Sequence, residues 1–201
     1  MLKIGLCGGS GSGKGAVSLF FAERGYFVID TDTVCHELFA VDCECTRALR
    51  AEFGDSIFDA PCCVKRKKLS EIVFSDKEKL KRLNSITHYY ILNRVRELIA
   101  DAETESRFRG AVVDAPLLFE SGFDAECDFI VAVLADKNVR IDRVVERDGI
   151  SRERAIARIN NQKSDDFLID KSDFVIENNG TLLDLKQCTM LVIDKIENKI
   201  V

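Results

Sequence analysis

Five short apolar runs punctuate the chain, at residues 2–7, 26–30, 111–114, 128–134 and 173–177. Each is rich in Val, Ile, Leu or Phe, and most stop at a glycine or a polar turn. Continuous apolar runs of this length are expected of strands buried on both faces, as in a parallel sheet. Between them the apolar spacing lengthens to that of a helix. Residues 14–24 place Val17, Phe20 and Phe21 on one face. From Leu80 through Leu83, Ile86, Tyr90, Val95 and Leu98 the apolar positions recur every three to five residues. That spacing predicts one long amphipathic helix or a broken pair. Ser151, ahead of Arg152-Glu153-Arg154-Ala155-Ile156, is expected as an N-cap. Thr181-Leu182-Leu183-Asp184 fits a capping box opening a C-terminal helix whose Leu185, Val192 and Ile196 face inward. Strands alternating with helices predict an α/β fold with a five-stranded parallel sheet covered on both faces. Ligands of such sheets gather at the carboxyl ends of the strands. The stretch 35–110 is too long for a simple crossover and is expected to hold a helical insertion. The 201 residues suit one domain with such insertions, and there are no internal repeats.

The first run leads straight into Gly8-Gly9-Ser10-Gly11-Ser12-Gly13-Lys14-Gly15. Gly8-x-x-x-x-Gly13-Lys14 is the pattern of a phosphate-cradling loop in all but its last position. Five glycines in eight residues let successive N–H groups curl around an anion without Cβ clashes. The helix that follows adds the positive end of its dipole, and Lys14 supplies a mobile point charge. The hydroxyl that would bind a metal after the lysine is missing, because Gly15 and Ala16 stand there. Gly11-x-Gly13-x-x-Ala16 also fits a dinucleotide fingerprint, with Asp30 where a ribose-binding acid belongs. A lysine inside the loop favours a triphosphate over that reading.

Other candidate chemistry sits at strand ends. Asp30 and Asp32 close the second run, where one carboxylate could take a proton from an attacking hydroxyl. The competing reading is a polar strand-end turn. His36 is a ligand contact or a solvated bystander. Asp114 closes the third run, where phosphate-loop proteins place a carboxylate near magnesium, and Pro116 to Phe119 suit a pocket wall. Arg140, Arg143 and Arg147 fall at i, i+3 and i+7 on one helix face, either solvated or folded as a lid over a triphosphate. Lys65-Arg66-Lys67-Lys68 is expected as a solvated turn or an anion site.

Composition changes the picture little. A net charge of −5, with 46% hydrophobic and 31% charged residues, gives no sign of general nucleic-acid or anionic-membrane binding. No stretch approaches the ~20 apolar residues of a membrane span. The glycine loop begins by residue 8, so no signal peptide is expected and the chain is placed in the cytoplasm. The eight cysteines are therefore expected as reduced thiols, with Cys7, Cys127 and Cys188 in apolar surroundings. Cys43-Glu44-Cys45 and Cys62-Cys63 lack zinc-knuckle spacing.

Taken in order, these blocks resemble the dephospho-CoA kinase family over nearly the whole chain. They are the loop at 8–14, Val28-Ile29-Asp30-x-Asp32, and Arg66 and Leu69 before Ile72-Val73-Phe74. Next come Leu83-Asn84-x-Ile86-x-His88 and Pro116-Leu117-Leu118-Phe119-Glu120. Arg143 to Asp148, Gln162 and Val175-Ile176-x-Asn178-Asn179-Gly180 complete the set. The resemblance implies a single P-loop kinase domain over 1–201, with a helical CoA-binding insertion at about 35–110 and an arginine-bearing lid at about 138–170. The implied reaction passes the γ-phosphate of ATP to the ribose 3′-hydroxyl of dephospho-CoA, with magnesium, and implies no nucleic-acid, membrane or obligate protein partner. Carried over by position, Asp32 is the base or orienter, Lys14 holds the β- and γ-phosphates, and Arg143 serves in the lid. Gly9, Ser10, Gly11, Ser12, Gly13, Lys14 and Gly15 are the implied ATP-binding residues. Asp32, His88, Pro116 and Leu117 are the implied acceptor-binding residues, and Asp114 would lie near magnesium. The chain departs from the family at Gly15 and Ala16, where Ser or Thr is usual, and at His88-Tyr89, where the family has His-Pro. A kinase for another nucleoside or nucleotide, a lapsed nucleotide-binding protein and a dinucleotide-binding oxidoreductase-type module are the alternatives.

Overall fold

All five apolar runs become strands within one residue of the expected bounds. They are β1 (Lys3–Cys7), β2 (Phe27–Asp30), β3 (Ala111–Asp114), β4 (Phe129–Leu134) and β5 (Phe174–Glu177). The computed structural model describes residues 1–59, 62–73 and 76–200. Phe74, at the end of the Ile72-Val73-Phe74 block, lies outside them. The strands form one parallel sheet in the order β2-β3-β1-β4-β5. β1 is central, with Ile4 beside Val112 on β3 and Phe129 on β4. A buried centre explains why its sequence carries no charge after Lys3, from Ile4 to Cys7.

The chain divides into two units, Met1–Ile29 with Ala102–Val201, and Asp30–Asp101. In the first, α1 (Lys14–Glu23) and α10 (Leu182–Ile200) cover the sheet. Its core joins Ile4, Leu6, Val112, Val131, Val133 and Ile176 to Val17, Phe20 and Phe21 of α1 and Leu185, Val192 and Ile196 of α10. Phe21 is fully buried and meets Tyr26 edge-to-face at 5.4 Å. The capping box of α10 forms as expected, Thr181 donating to Asp184 through N–H at 2.8 Å and Oγ1 at 2.7 Å. The stretch 138–170 folds as α7 (Lys137–Asp148), α8 (Arg152–Asn160) and α9 (Asp165–Asp170), and a four-residue α6 (Leu118–Ser121) follows β3. Ser151 caps α8.

The second unit is helical: α2 (Thr31–Ala40), α3 (Glu44–Phe53), α4 (Arg66–Val73) and α5 (Lys77–Thr104), which runs on past its end. Phe39, Leu49, Ile57, Leu69 and Val73 form its core, with Leu83, Ile86 and Tyr90 of α5 against it. α5 is one continuous helix of 28 residues, so the broken-pair alternative is closed. His88-Tyr89 sits near its middle; tyrosine keeps the backbone N–H that a proline would remove, and nothing interrupts the ladder there. The basic run is not a turn either. Lys65 pairs with Asp59 at 2.7 Å, and Arg66, Lys67 and Lys68 open α4.

All eight cysteines are free thiols. Burial raises the Cys7 thiol to about 11 and the Cys127 thiol to about 12. Cys188 departs from expectation and is exposed. The inward stripe of α10 runs through Leu185, Thr189, Val192, Ile193 and Ile196, one step off Cys188. Among the described residues no helix is long and apolar enough to cross a membrane.

Candidate active site

The glycine loop joins β1 to α1 at the carboxyl end of the sheet. Gly11 and Gly13 have φ of 79° and 96°, left-handed values that side chains rarely adopt. Gly13 is the N-cap of α1, so that helix starts with no side-chain cap and no acidic residue in its first turn. By contrast Asp30, Ser151 and Ser164 cap their helices through side chains. An uncapped N-terminus leaves backbone N–H groups without protein acceptors, and an anion satisfies them. Ser10 donates its N–H to Gln162 and Ser12 donates its N–H to Gly9, so these amides shape the loop. Among the described residues the amides of Gly11 and Gly13 donate to no protein acceptor.

Lys14 forms an ion pair with Asp114 at the end of β3. The second oxygen of that buried carboxylate accepts from Ser18 Oγ at 2.7 Å. Sequence reasoning passed over Ser18; its signal is the i, i+4 spacing from Lys14, which stacks the two on one helix face. Arg143 donates to the carbonyls of Gly11 at 3.3 Å and Asn178 at 3.2 Å. Asn178, itself buried, donates Nδ2 to the Ser12 carbonyl at 2.8 Å. Arg140 donates to the Ser10 carbonyl at 3.1 Å. The expected three-arginine face is thus divided. Arg140 and Arg143 reach the loop, whereas Arg147, two turns along, pairs with Asp148 at 2.7 Å.

Asp30 and Asp32 also separate. Asp30 caps α2, accepting from Asp32 N–H at 2.9 Å and Thr33 Oγ1 at 3.1 Å, so both its oxygens take part in the cap. The cap gives Asp30 a local role that needs no ligand. Asp32 stands exposed in the first turn of α2, and its carboxylate makes no hydrogen bond among the described residues. His36 is exposed on the same helix, and His88 is half-buried in α5. Pro116 and Leu117 line a recess of about 120 Å³ with Cys7, Gly8, Gly9 and Gln162. Gln162 and Asn178 belonged to the resemblance blocks but carried no role there; their partners in the loop, Ser10 and Ser12, lie more than 150 residues away in sequence.

A family model described as dephospho-CoA kinase matches residues 2–184. A dephospho-CoA kinase of Fusobacterium nucleatum is 42% identical over 185 residues, covering 92% of this chain and 93% of its own. One from Lactobacillus johnsonii is 33% identical over 184 residues, covering 92% of both. Among solved structures, the dephospho-CoA kinase from Campylobacter jejuni aligns with a TM-score of 0.72 at 25% identity, covering 99% of this chain and 98% of its own.

Proposed function

The chain belongs to the dephospho-CoA kinase family, and on that premise we propose how its own residues divide the work of moving the γ-phosphate of ATP to the ribose 3′-hydroxyl of dephospho-CoA. It is an ATP-dependent phosphotransferase. The observation that carries the assignment of roles is the convergence of the uncapped α1 N-terminus, Lys14 and Arg143 on one glycine loop. Phosphoryl transfer is catalysed almost wholly by positioning and charge neutralisation, and this set supplies both. We assign the loop from Gly9 to Gly15 to the ATP phosphates, with Ser10 and Ser12 holding its shape. Lys14 leaves Asp114 for the β- and γ-phosphates, and Arg143 exchanges backbone carbonyls for the transferring group. Asp32, exposed and uncommitted just past β2, is the base or orienter of the acceptor hydroxyl. The Asp30–Asp101 unit, with His88, serves as the CoA-binding insertion, α7 to α9 form the lid, and Pro116 and Leu117 form an acceptor wall. We place the chain in the cytoplasm, a compartment that keeps thiols reduced.

Magnesium is the proposed metal. Among the described residues no three His, Cys, Asp or Glu side chains gather to hold an ion by themselves. Asp114 offers one buried, hard carboxylate, and the side-chain position of Gly15 is open space. This set fits an ion held mostly by phosphate oxygens and water, with Asp114 as the protein's contribution. Such an ion, when bound, neutralises phosphate charge.

The test supplies ATP and magnesium with dephospho-CoA, AMP or pyrimidine monophosphates and quantifies each phosphorylated product. Dephospho-CoA is expected to be the preferred acceptor by kcat/KM. A higher value for a nucleoside monophosphate would move the chain to another acceptor class.

A further inference from the structure

Among the described residues Arg140 is the one buried basic side chain, only 4% exposed. Burying a guanidinium is costly unless its donors are met, and here each nitrogen has an acceptor. Nε donates to the Ser10 carbonyl at 3.1 Å, Nη1 to Asp165 Oδ1 at 3.1 Å and Nη2 to Gln162 Oε1 at 3.0 Å. The same Gln162 oxygen accepts the Ser10 N–H at 3.0 Å, and Gln162 Nε2 donates to Ser10 Oγ at 2.9 Å. Every polar group of Ser10 is therefore held by Arg140 or Gln162. The flanking residues are shaped for this approach. A Cβ on Gly9 would collide with the guanidinium, and one on Gly11 with the Arg140 backbone.

We infer that Arg140 is a positioning residue for the phosphate cradle, acting through Ser10 together with Gln162, rather than a lid arginine that reaches the triphosphate. Buried and bonded through each of its three nitrogens to Ser10, Asp165 and Gln162, it fixes the first half of the loop and leaves the Gly11 and Gly13 amides to the anion. Arg143, whose acceptors are carbonyls of the loop and Asn178, is left as the arginine that meets the phosphates. The inference rests on the reading that this loop holds ATP.

The experiment compares wild type, Arg140→Met, Arg140→Lys and Gln162→Leu by steady-state kinetics, by direct ATP titration without acceptor, and by thermal melting. Arg140→Met is expected to raise KM and Kd for ATP about tenfold or more, with kcat at saturating ATP falling less than about threefold. Arg140→Lys keeps the charge without the three-way fork and should recover little. Gln162→Leu should weaken ATP in the same direction and decides the matter if Arg140→Met does not fold. A lower melting temperature with an unchanged KM would make Arg140 a packing residue only. A fall in kcat with unchanged KM would place it on the transferring phosphate; either result overturns the inference. No ATP binding by wild type would instead overturn the reading of the loop.

Discussion

A Cβ built on Gly15 would meet nothing within 4 Å, and its φ is not one that side chains avoid. The missing hydroxyl of the loop is therefore a vacancy in chemistry, not a steric demand of the fold. Gly15→Ser should fold, with a gain of a few tenths of a kcal/mol from helix propensity. It is expected to lower the magnesium concentration at half-maximal rate while leaving the acceptor unchanged, read from phosphoryl transfer across a magnesium titration. Superimposable curves would show that water fills the position fully. Asp32 and Asp30 make the complementary case. Both are carboxylates at one strand end, and only the cap geometry separates a committed one from an available one. Asp32→Asn is expected to keep ATP affinity and lower kcat by about 10²-fold or more, the size of a lost positioned base. A near-wild-type rate would remove Asp32 from the role.

Helices α7 and α8 show how the same residue type is used in opposite ways within 20 residues. Arg143 touches the loop, whereas Arg154 is exposed and Arg158 pairs with Asp148. Arg143→Ala should depress kcat and kcat/KM together by roughly 10²-fold or more, with Arg154→Ala nearly silent. Equal effects would dissolve the distinction. The Arg147 hydrogen bond, and after it that of Arg158, pulls the Asp148 carboxyl down to about 2. A depressed carboxyl adds stability above its unfolded value of about 3.9, lost as pH falls towards 2. Melts of wild type and Asp148→Asn should differ slightly above pH 4, and the difference should shrink as pH falls from 4 to 2 and vanish only below 2; it is small because the pair is screened. Such pairings explain what sequence could and could not show. Strand bounds were legible because burial in the sheet leaves charged residues only at the strand ends, as at Lys3, Asp30, Asp114 and Glu177. The arginine spacing i, i+3, i+7 was legible too. Which arginine is buried was not, since Gln162 and Asp165, 22 and 25 residues on, decide it. The choice between one helix and two over 77–104 was likewise open, because apolar steps of three to five suit both.

At the scale of the whole chain, the candidate nucleotide loop and the sheet share one core. Val17, Phe20 and Phe21 of α1 pack with Ile4 and Leu6 of β1, so the helix that opens uncapped from the glycine loop is anchored in the sheet's core. A ligand that binds only the folded loop must therefore stabilise this unit through mass action. At ATP concentrations of about 100 times Kd the gain is ≈ 2.7 kcal/mol. In a protein of about 200 residues each kcal/mol moves Tm by roughly 2–4 °C, so a rise of about 5–10 °C is expected. Lys14→Met leaves Asp114 buried without its cation, so its starting Tm should fall. The informative quantity is then the ATP-induced increment, which should shrink to less than half that of wild type. NAD offers the contrasting test, because the dinucleotide reading of Gly11-x-Gly13-x-x-Ala16 gives Lys14 no outer phosphate to hold, and Asp30 already has a role as the cap of its own helix. NAD should therefore raise Tm by less than ATP at equal concentration. An NAD increment equal to or above that of ATP would return the loop to dinucleotide binding.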